Sequence, residues 1–327
     1  MRLKRRQFLL VSLLAAKAQL FNTSRVLAQE GSIFPVHDPC IIREDDTYYL
    51  FCTGSSIPMR RSSDLFSWEL RGDILRGGIP QWAKDHIPAA TNLWAPDVSF
   101  YNGKFHLYYS VSTFGRNRSA IGLTTNATLN RSSDDYEWID EGMVFASTED
   151  DDFNAIDPNI ILDEDGVPWL AFGSFWSGIK LRRLDVETGK PSSEDATLYA
   201  LATRPGDAVE APFIIRREGF YYLFVSFDFC CRGADSTYRV MVGRAESVTG
   251  PYHDREGVAM LEGGGTQITF PTDRWRGPGH NAILQEEDGD WIVYHAYDAE
   301  SEGLPTLRID PLGWDEDGWP FIDKENS

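Results

Sequence analysis

The stretch Asp157-Pro-Asn-Ile-Ile161, followed by Asp165-Gly-Val-Pro-Trp-Leu-Ala-Phe172, decides the fold because its pattern recurs along the chain. A polar or proline-containing turn leads into an apolar strand, an acidic or glycine-containing turn reverses the chain, and an aromatic-rich strand follows. Asp-Gly between two apolar runs is a strong hairpin signal. The other copies are Asp38-Pro-Cys-Ile-Ile42 with Asp45 to Phe51, Ala95-Pro-Asp-Val98 with Asn102 to Tyr109, Ala211-Pro-Phe-Ile-Ile215 with Glu218 to Phe224, and Asn281-Ala-Ile-Leu284 with Asp288 to Tyr294.

The spacing of the copies predicts the architecture. The anchor residues Pro39, Pro96, Pro158, Pro212 and Asn281 are 57, 62, 54 and 69 residues apart. Five such units fill residues 29–327, and no long segment shows the 3.6-residue period of a helix. Short-stranded units repeated around an axis form a propeller. We therefore predict an all-β fold, a five-bladed β-propeller in a single domain over residues 29–327. A pair of sandwich domains is the alternative, but five similar units do not divide into two.

Residues 1–28 have the composition of an export signal. Four basic residues stand between Met1 and Arg6, an apolar run follows from Phe8 to Ala16, and Val26-Leu-Ala28 supplies small residues for cleavage. Because Arg5-Arg6-Gln-Phe-Leu9 is similar to a twin-arginine signal, this route is predicted, with an ordinary secretory signal as the alternative. The apolar run is too short to span a bilayer. We expect a secreted or periplasmic protein, free of the membrane after signal removal.

Charge restricts the possible partners. The chain has 31 Lys and Arg against 50 Asp and Glu, a formal net charge of -19. Such a surface repels nucleic acid and anionic lipid, so we expect neither as a partner and expect a monomer. The four cysteines contain no C-x-x-C pair, which argues against a zinc ribbon. Cys40 and Cys52 either face each other in a disulfide or remain buried thiols. The adjacent Cys230 and Cys231 are expected to be mainly packing residues.

The repeat predicts a functional site on the axis. In a propeller the innermost strands surround one cavity, so equivalent positions at their starts meet there. Asp38, Asp157 and Glu210 occupy or adjoin these positions. Crowded, partly dry carboxyl groups cannot all ionise, so one stays protonated as a general acid while another acts as a general base. Glycoside hydrolysis uses this pairing, and sugars pack on aromatic rings. Aromatic residues suited to such packing are Trp94, Phe114, Phe175 and Trp176.

Each of these residues also has a purely structural interpretation. Asp-Pro commonly begins a turn, which would account for Asp38 or Asp157 alone. An aromatic residue in a β-protein belongs more often to the core than to a ligand platform. A lone histidine such as His280 is usually a turn or core residue. The recurrence of the acids at equivalent repeat positions favours the carboxylate site.

Several motifs, taken together and in order, are specific for a known family. From about His37 to Trp319 the chain resembles the arabinanases of glycoside hydrolase family 43, which are five-bladed propellers. The matching stretches include His37-Asp-Pro, Leu93-Trp-Ala-Pro-Asp97, Asn154-Ala-Ile-Asp-Pro158, Trp169 to Lys180, Glu210-Ala-Pro, Leu261-Glu-Gly-Gly-Gly265, Gly277-Pro-Gly-His280 and His295-Ala-Tyr-Asp298. The Trp169 and Leu261 stretches favour endo-arabinanases over the β-xylosidases of the family.

The resemblance implies roles for individual residues. Asp38 is implied as the general base, Glu210 as the general acid, and Asp157 as the third carboxylate that tunes and orients the acid. The family inverts the anomeric carbon, which requires carboxyl groups roughly 6.5–9.5 Å apart with water between base and sugar. Trp94 and Phe114 resemble walls of the cleavage subsite. The other residues implied to contact substrate are His37, Gly115, Asn154, Ala155, Ile156, Ser174, Phe175 and Trp176.

The resemblance also implies a cofactor and a substrate. His280 is similar to the family's ligand for one calcium ion, although calcium generally prefers oxygen. The implied substrates are arabinan polysaccharide and arabino-oligosaccharides, cut internally at α-1,5 linkages. The alternatives are an exo-acting α-L-arabinofuranosidase or β-xylosidase of the same family, and a propeller that binds sugar without cutting it. Segment 78–91 and the residues after His280 are expected to border the cleft.

Overall fold

The chain is built from five small sheets, as a computed structural model that describes residues 29–323 shows, and all their strand pairs are antiparallel except the parallel pair of β1 and β5. The signal predicted at residues 1–28 lies outside the described residues. The first two blades hold β1 (Glu30–Gly31), β2 (Cys40–Glu44), β3 (Thr47–Phe51), β4 (Pro58–Ser62), β5 (Ser67–Asp73), β6 (Trp94–Tyr101), β7 (Lys104–Val111), β8 (Ser119–Asn126) and β9 (Ile139–Ser147). The third and fourth blades hold β10 (Asn159–Leu162), β11 (Pro168–Phe172), β12 (Ile179–Arg183), β13 (Tyr199–Ala202), β14 (Val209–Arg217), β15 (Phe220–Phe227), β16 (Arg239–Ala245) and β17 (Thr266–Gln267).

The fifth blade completes the circle. It holds β18 (Trp275–Glu286), β19 (Gly289–Asp298), β20 (Leu304–Trp314) and β21 (Pro320–Ile322). The first strands of successive blades touch in cyclic order, β2 to β6 to β10 to β14 to β18 and back to β2. The predicted five-bladed β-propeller is therefore confirmed. A short helix α1 (Gln81–His86) packs on β8 and β9, away from the inner strands. No helix within residues 29–323 is long and apolar enough to cross a membrane.

The core consists of five apolar clusters, one in each gap between neighbouring blades. Successive side chains of a strand point to opposite faces of the sheet, so each blade contributes to two clusters. Leu107 of β7 packs toward the first blade, whereas its neighbour Tyr108 packs toward the third. Because both faces of every blade are apolar, the repeat is stable only when its neighbours are in place.

A ring of hydrogen bonds links the blades around the axis. One residue close to the start of β2, β6, β10 and β14, and His280 within β18, has a positive φ, and its N–H donates to an acceptor side chain from the blade before it. The acceptors that follow this pattern are Thr53 Oγ1 for Ala95 at 2.8 Å, Ser110 Oγ for Asp157 at 2.9 Å, Asp157 Oδ2 for Ala211 at 3.1 Å, Ser226 Oγ for His280 at 2.8 Å, and His295 Nδ1 for Asp38 at 3.1 Å. The left-handed turn aims these residues at the axis.

The cysteines decide one open alternative and correct one expectation. Cys40 pairs with Phe51 across the first hairpin, which places Cys40 and Cys52 on opposite faces of the blade. They are buried free thiols in different clusters, so the facing arrangement is wrong. Cys230 and Cys231, expected only to pack, form a disulfide with each other. Cys231, in the loop after β15, adopts a φ of 67°.

Candidate active site

Three carboxyl groups meet where the inner strands begin. Asp38, Asp157 and Glu210 come from the first, third and fourth blades, and each residue is no more than 8% exposed. They lie close enough for their charges to repel one another. A carboxyl group keeps its charge in such a place only if a cation or several hydrogen bonds stabilise it. The three groups differ in these partners, so they differ in protonation.

Asp38 is held in its ionised form. His37 Nδ1 lies 2.8 Å and His280 Nδ1 3.1 Å from its Oδ1, and the Thr53 hydroxyl donates to Oδ2 at 2.6 Å. Burial raises the pKa of Asp38, but the two imidazoles outweigh this effect and hold the pKa well below its usual range. Asp38 is therefore a carboxylate at neutral pH, as a general base must be.

A second layer of contacts fixes the imidazole of His37. Its Nε2 lies 2.8 Å from the hydroxyl of Tyr297, which also accepts the backbone N–H of Cys231 at 2.7 Å. The ring stacks on His295 with centroids 4.0 Å apart. Because its nitrogens face Asp38 and Tyr297, His37 orients the base and joins it to the disulfide loop.

Glu210 has a different environment. Burial raises its pKa, and hydrogen bonds from Ser174 and Tyr238 counter this rise only in part. The Ser174 hydroxyl donates to Oε2 at 2.6 Å, and the Tyr238 hydroxyl donates to Oε1. Glu210 therefore keeps its proton to higher pH than an exposed glutamate, as a general acid must.

The pKa of Asp157 is shifted in the same direction as that of Glu210. Burial raises its pKa to about 8, His280 opposes that rise, and the charges of Glu210 and Asp38 add to it. Its Oδ2 accepts the N–H of Ala211, the residue that follows Glu210. Asp157 thus anchors the backbone that carries the acid and presents a largely neutral carboxyl group beside it.

His280 is the cation of the cluster. Burial lowers its pKa, but Asp38, Asp157 and Glu210 raise it to about 9 overall. Its Nδ1 faces Asp38, so only Nε2 remains as a metal ligand. Two clusters with ligand spacing exist among residues 29–323, His37–Asp38–His295 and His37–Cys230–Cys231, and neither includes His280. The acidic surroundings suit a cation that His280 and water hold, whereas an all-protein oxygen cage of the usual calcium type is not present in this part of the chain.

The other predicted contact residues fall into two groups. Phe114 is 82% and Trp176 47% exposed, and Gly115 is exposed beside Phe114. Trp94 and Phe175 are half-buried. By contrast, Asn154, Ala155 and Ile156 are buried, and Ala155 donates its N–H to Ser147 Oγ. Ala155 is completely buried and so presents no surface to a ligand.

Four residues of the site were not predicted from the sequence: Thr53, Tyr238, His295 and Tyr297. Thr53 and His295 occupy the position in their blades that Ser110 and Ser226 hold in others, so alignment of the second strands could have found them. Burial and the charge of His37 hold the pKa of His295 well below its usual range, so its neutral Nδ1 accepts the Asp38 N–H. Tyr238 belongs to no pattern that recurs in the other blades, so the sequence repeat could not have identified it.

Known proteins resemble this chain in sequence and in fold. The model of the family described as Glycosyl hydrolases family 43 matches residues 33–320. The chain is 44% identical to the extracellular endo-alpha-(1->5)-L-arabinanase 1 of Bacillus subtilis, over 96% of this chain and 97% of that protein. It is 45% identical to the extracellular exo-alpha-(1->5)-L-arabinofuranosidase ArbA of Cellvibrio japonicus, over 89% and 87%. The solved GH43 endo-arabinanase of Bacillus licheniformis superposes with a TM-score of 0.84 at 47% identity, over 90% and 99%.

Proposed function

The chain belongs to glycosyl hydrolase family 43, and from that premise we propose that it cuts α-1,5-linked L-arabinan internally, with inversion of the anomeric carbon. It is a glycoside hydrolase, and its arabinanase chemistry agrees with its relatives. The single observation that carries the proposal is the contrast between two buried carboxyl groups at the axis: His37 and His280 lie against Asp38, whose pKa is lowered, whereas burial raises the pKa of Glu210.

The reaction is a single displacement. A water oxygen attacks the anomeric carbon and gives one proton to Asp38. The bond from that carbon to the glycosidic oxygen breaks, and the proton of Glu210 moves to the departing oxygen. Asp157 keeps Glu210 in place through the Ala211 N–H. Acid and base catalysis each supply about 10²- to 10⁴-fold in rate.

Internal cutting is proposed from the exposed aromatic residues of two successive blades. Phe114 and Trp176 project from loops that follow β7 and β11, where they would carry sugar units beyond the cleaved bond. Helix α1, in the segment expected to border the cleft, packs on outer strands of the second blade instead. Phe175, with Phe229 at a centroid distance of 6.0 Å, extends the aromatic surface.

The test is the time course of products from debranched linear arabinan. Mixed oligosaccharides at early times, absent with Glu210→Ala, would support the proposal, and proton NMR of the first product would show the inverted anomer. Wild-type turnover by Glu210→Ala on this polysaccharide would exclude Glu210 as the acid.

An exo-acting hydrolase is the second candidate, because the relative from Cellvibrio japonicus with that name is as similar as the endo-acting one. Arabinose alone from the first minutes would favour it. Binding of arabinan without cleavage would favour a sugar-binding propeller instead.

We also propose a calcium ion held by Nε2 of neutral His280 and by water, whose positive charge would replace that of the imidazolium among the three carboxyl groups. Calcium should raise the Tm of EDTA-treated protein, and His280→Ala should abolish that rise. Export is proposed from the signal-like residues 1–28, and the N-terminus of the exported protein, determined by mass spectrometry, should be Gln29.

A further inference from the structure

Tyr238 is placed with little freedom against the proposed acid. It immediately precedes β16, and its side chain is almost completely buried. Its ring lies against the backbone of Gly279, where any Cβ would collide with ring atoms. The hydroxyl donates to Glu210 Oε1. Burial and the nearby acids raise the pKa of Tyr238 well above its usual value, so the hydroxyl remains a donor.

The second contact of Glu210 is of another kind. Ser174 lies on the third blade, and its hydroxyl is 2.6 Å from Oε2. A serine hydroxyl rotates and can donate to Oε2 or accept from it. The phenol is held by its ring, and its position fixes the oxygen it contacts. The two oxygens of Glu210 are therefore not equivalent.

The difference between the two contacts indicates which oxygen of Glu210 carries the proton. If the phenol donates to Oε1, the protonated acid carries its hydrogen on Oε2, next to a hydroxyl that can turn to accept it. We propose that Tyr238 is a positioning residue that fixes the plane of the Glu210 carboxyl group and directs its proton to Oε2. The inference rests on the proposed function of Glu210 as the general acid.

The step is balanced within this arrangement. The proton leaves Oε2 for the glycosidic oxygen as the carbon–oxygen bond breaks, and the carboxylate that remains still accepts the phenol hydrogen. Charged acceptors form stronger hydrogen bonds than neutral ones, so the contact strengthens as the proton departs. Such an interaction favours the transition state over the bound substrate, and its loss lowers kcat more than it changes KM.

The test is Tyr238→Phe, which removes one oxygen atom and keeps the ring. Two substrates are compared: debranched arabinan, whose leaving group needs a proton, and a 4-nitrophenyl α-L-arabino-oligosaccharide, whose leaving group does not. We expect kcat on arabinan to fall about 10- to 100-fold with KM unchanged, since the loss is part of the general-acid contribution. On the nitrophenyl substrate the loss should stay below about threefold.

Tyr294→Phe is the matched control. Tyr294 is a buried tyrosine of the fifth blade that donates to Asp310 Oδ2 at 2.6 Å, away from the three carboxyl groups. The Tyr294→Phe variant shows how the loss of a buried phenol–carboxylate hydrogen bond affects folding. Its kcat should fall only slightly, and by the same factor on arabinan and on the nitrophenyl substrate. If Tyr238→Phe does not fold, 3-fluorotyrosine at position 238, a stronger donor of nearly the same shape, should raise the ratio of arabinan to nitrophenyl turnover.

The inference would be overturned if Tyr238→Phe lowered kcat equally on both substrates, or raised KM without lowering kcat. It would also be overturned if 3-fluorotyrosine at position 238 left the ratio of arabinan to nitrophenyl turnover unchanged. Glu210→Gln separates this failure from failure of the proposed function. If Glu210→Gln is inactive on arabinan but active on the nitrophenyl substrate, Glu210 is the acid and only the role of Tyr238 is in question. If Glu210→Gln keeps wild-type turnover on arabinan, the proposed function itself is wrong.

Discussion

Replacement of Ser110 by alanine tests the ring of hydrogen bonds that joins the blades. Ser110 lies on β7, is completely buried, and accepts the N–H of Asp157 at 2.9 Å. In Ser110→Ala this N–H stays buried without its acceptor, which costs about 1–3 kcal/mol. For a chain of about 300 residues the entropy of unfolding is roughly 0.6 kcal/mol/K, so the Tm should fall by about 2–5 °C. Since Asp157 adjoins the acid, kcat on arabinan should also fall.

The matched control is Ser99→Ala in the same blade. The hydroxyl of Ser99 is buried and has no hydrogen-bond partner among the described residues. Its loss removes no bond, so the change in the free energy of unfolding should stay within about 0.5 kcal/mol. Calorimetry of both variants with the wild type measures the difference. If Ser110→Ala and Ser99→Ala melt at the same temperature, the hydrogen bond to Asp157 does not stabilise the propeller. The proposal that the ring of hydrogen bonds contributes to the free energy of unfolding would then be wrong.

Three further results are expected. In a pH profile, kcat/KM should fall as pH rises through the pKa of Glu210, because this pKa is raised above its usual value and the proposed acid must stay protonated. On the acid side, kcat/KM should fall only below the usual carboxyl range, because the pKa of Asp38 is lowered. A profile with both limbs at ordinary carboxyl values would contradict this assignment. Arg60→Ala should lower the free energy of unfolding by about 3–5 kcal/mol in denaturant melts, since buried Arg60 donates to the carbonyls of Ser32 at 2.6 Å and Pro35 at 2.8 Å. A loss under about 1 kcal/mol would show that these two bonds do not stabilise the fold. Phe114→Ala should leave the Tm unchanged and raise KM for arabinan, because the ring is 82% exposed; an unchanged KM would remove Phe114 from the substrate surface.

The fold could be predicted because the sequence pattern that a blade requires recurs five times along the chain. Each hairpin needs a turn, an apolar strand and an aromatic strand, and the repeat of this sequence shows where every inner strand begins. The same logic found Asp38, Asp157 and Glu210, since equivalent residues of a closed ring must meet at its axis. Local pattern and overall symmetry agree at these positions.

Other features depend on contacts that no repeat records. Tyr238 belongs to the start of a third strand, where the blades differ, and its place beside Glu210 depends on the close approach of Gly279. The spacing of Cys40 and Cys52 suggested a facing pair, but the register of the hairpin places them on opposite faces. Cys230 and Cys231 form a disulfide in a loop where Cys231 has a left-handed backbone conformation, which the sequence does not mark.

The contact that closes the ring makes the surroundings of Asp38, the proposed general base, dependent on the fifth blade. The N–H of Asp38 is bound by His295, and the segment before it is tied to β20 through Val36 N–H to Pro305 and Leu307 N–H to Ile33. A nascent chain that ends before the fifth blade would contain all three carboxyl groups, yet its base would lack His280 and His295. The fifth blade, which begins at Trp275, therefore completes the surroundings of Asp38, and we expect a fragment that ends before it to be inactive.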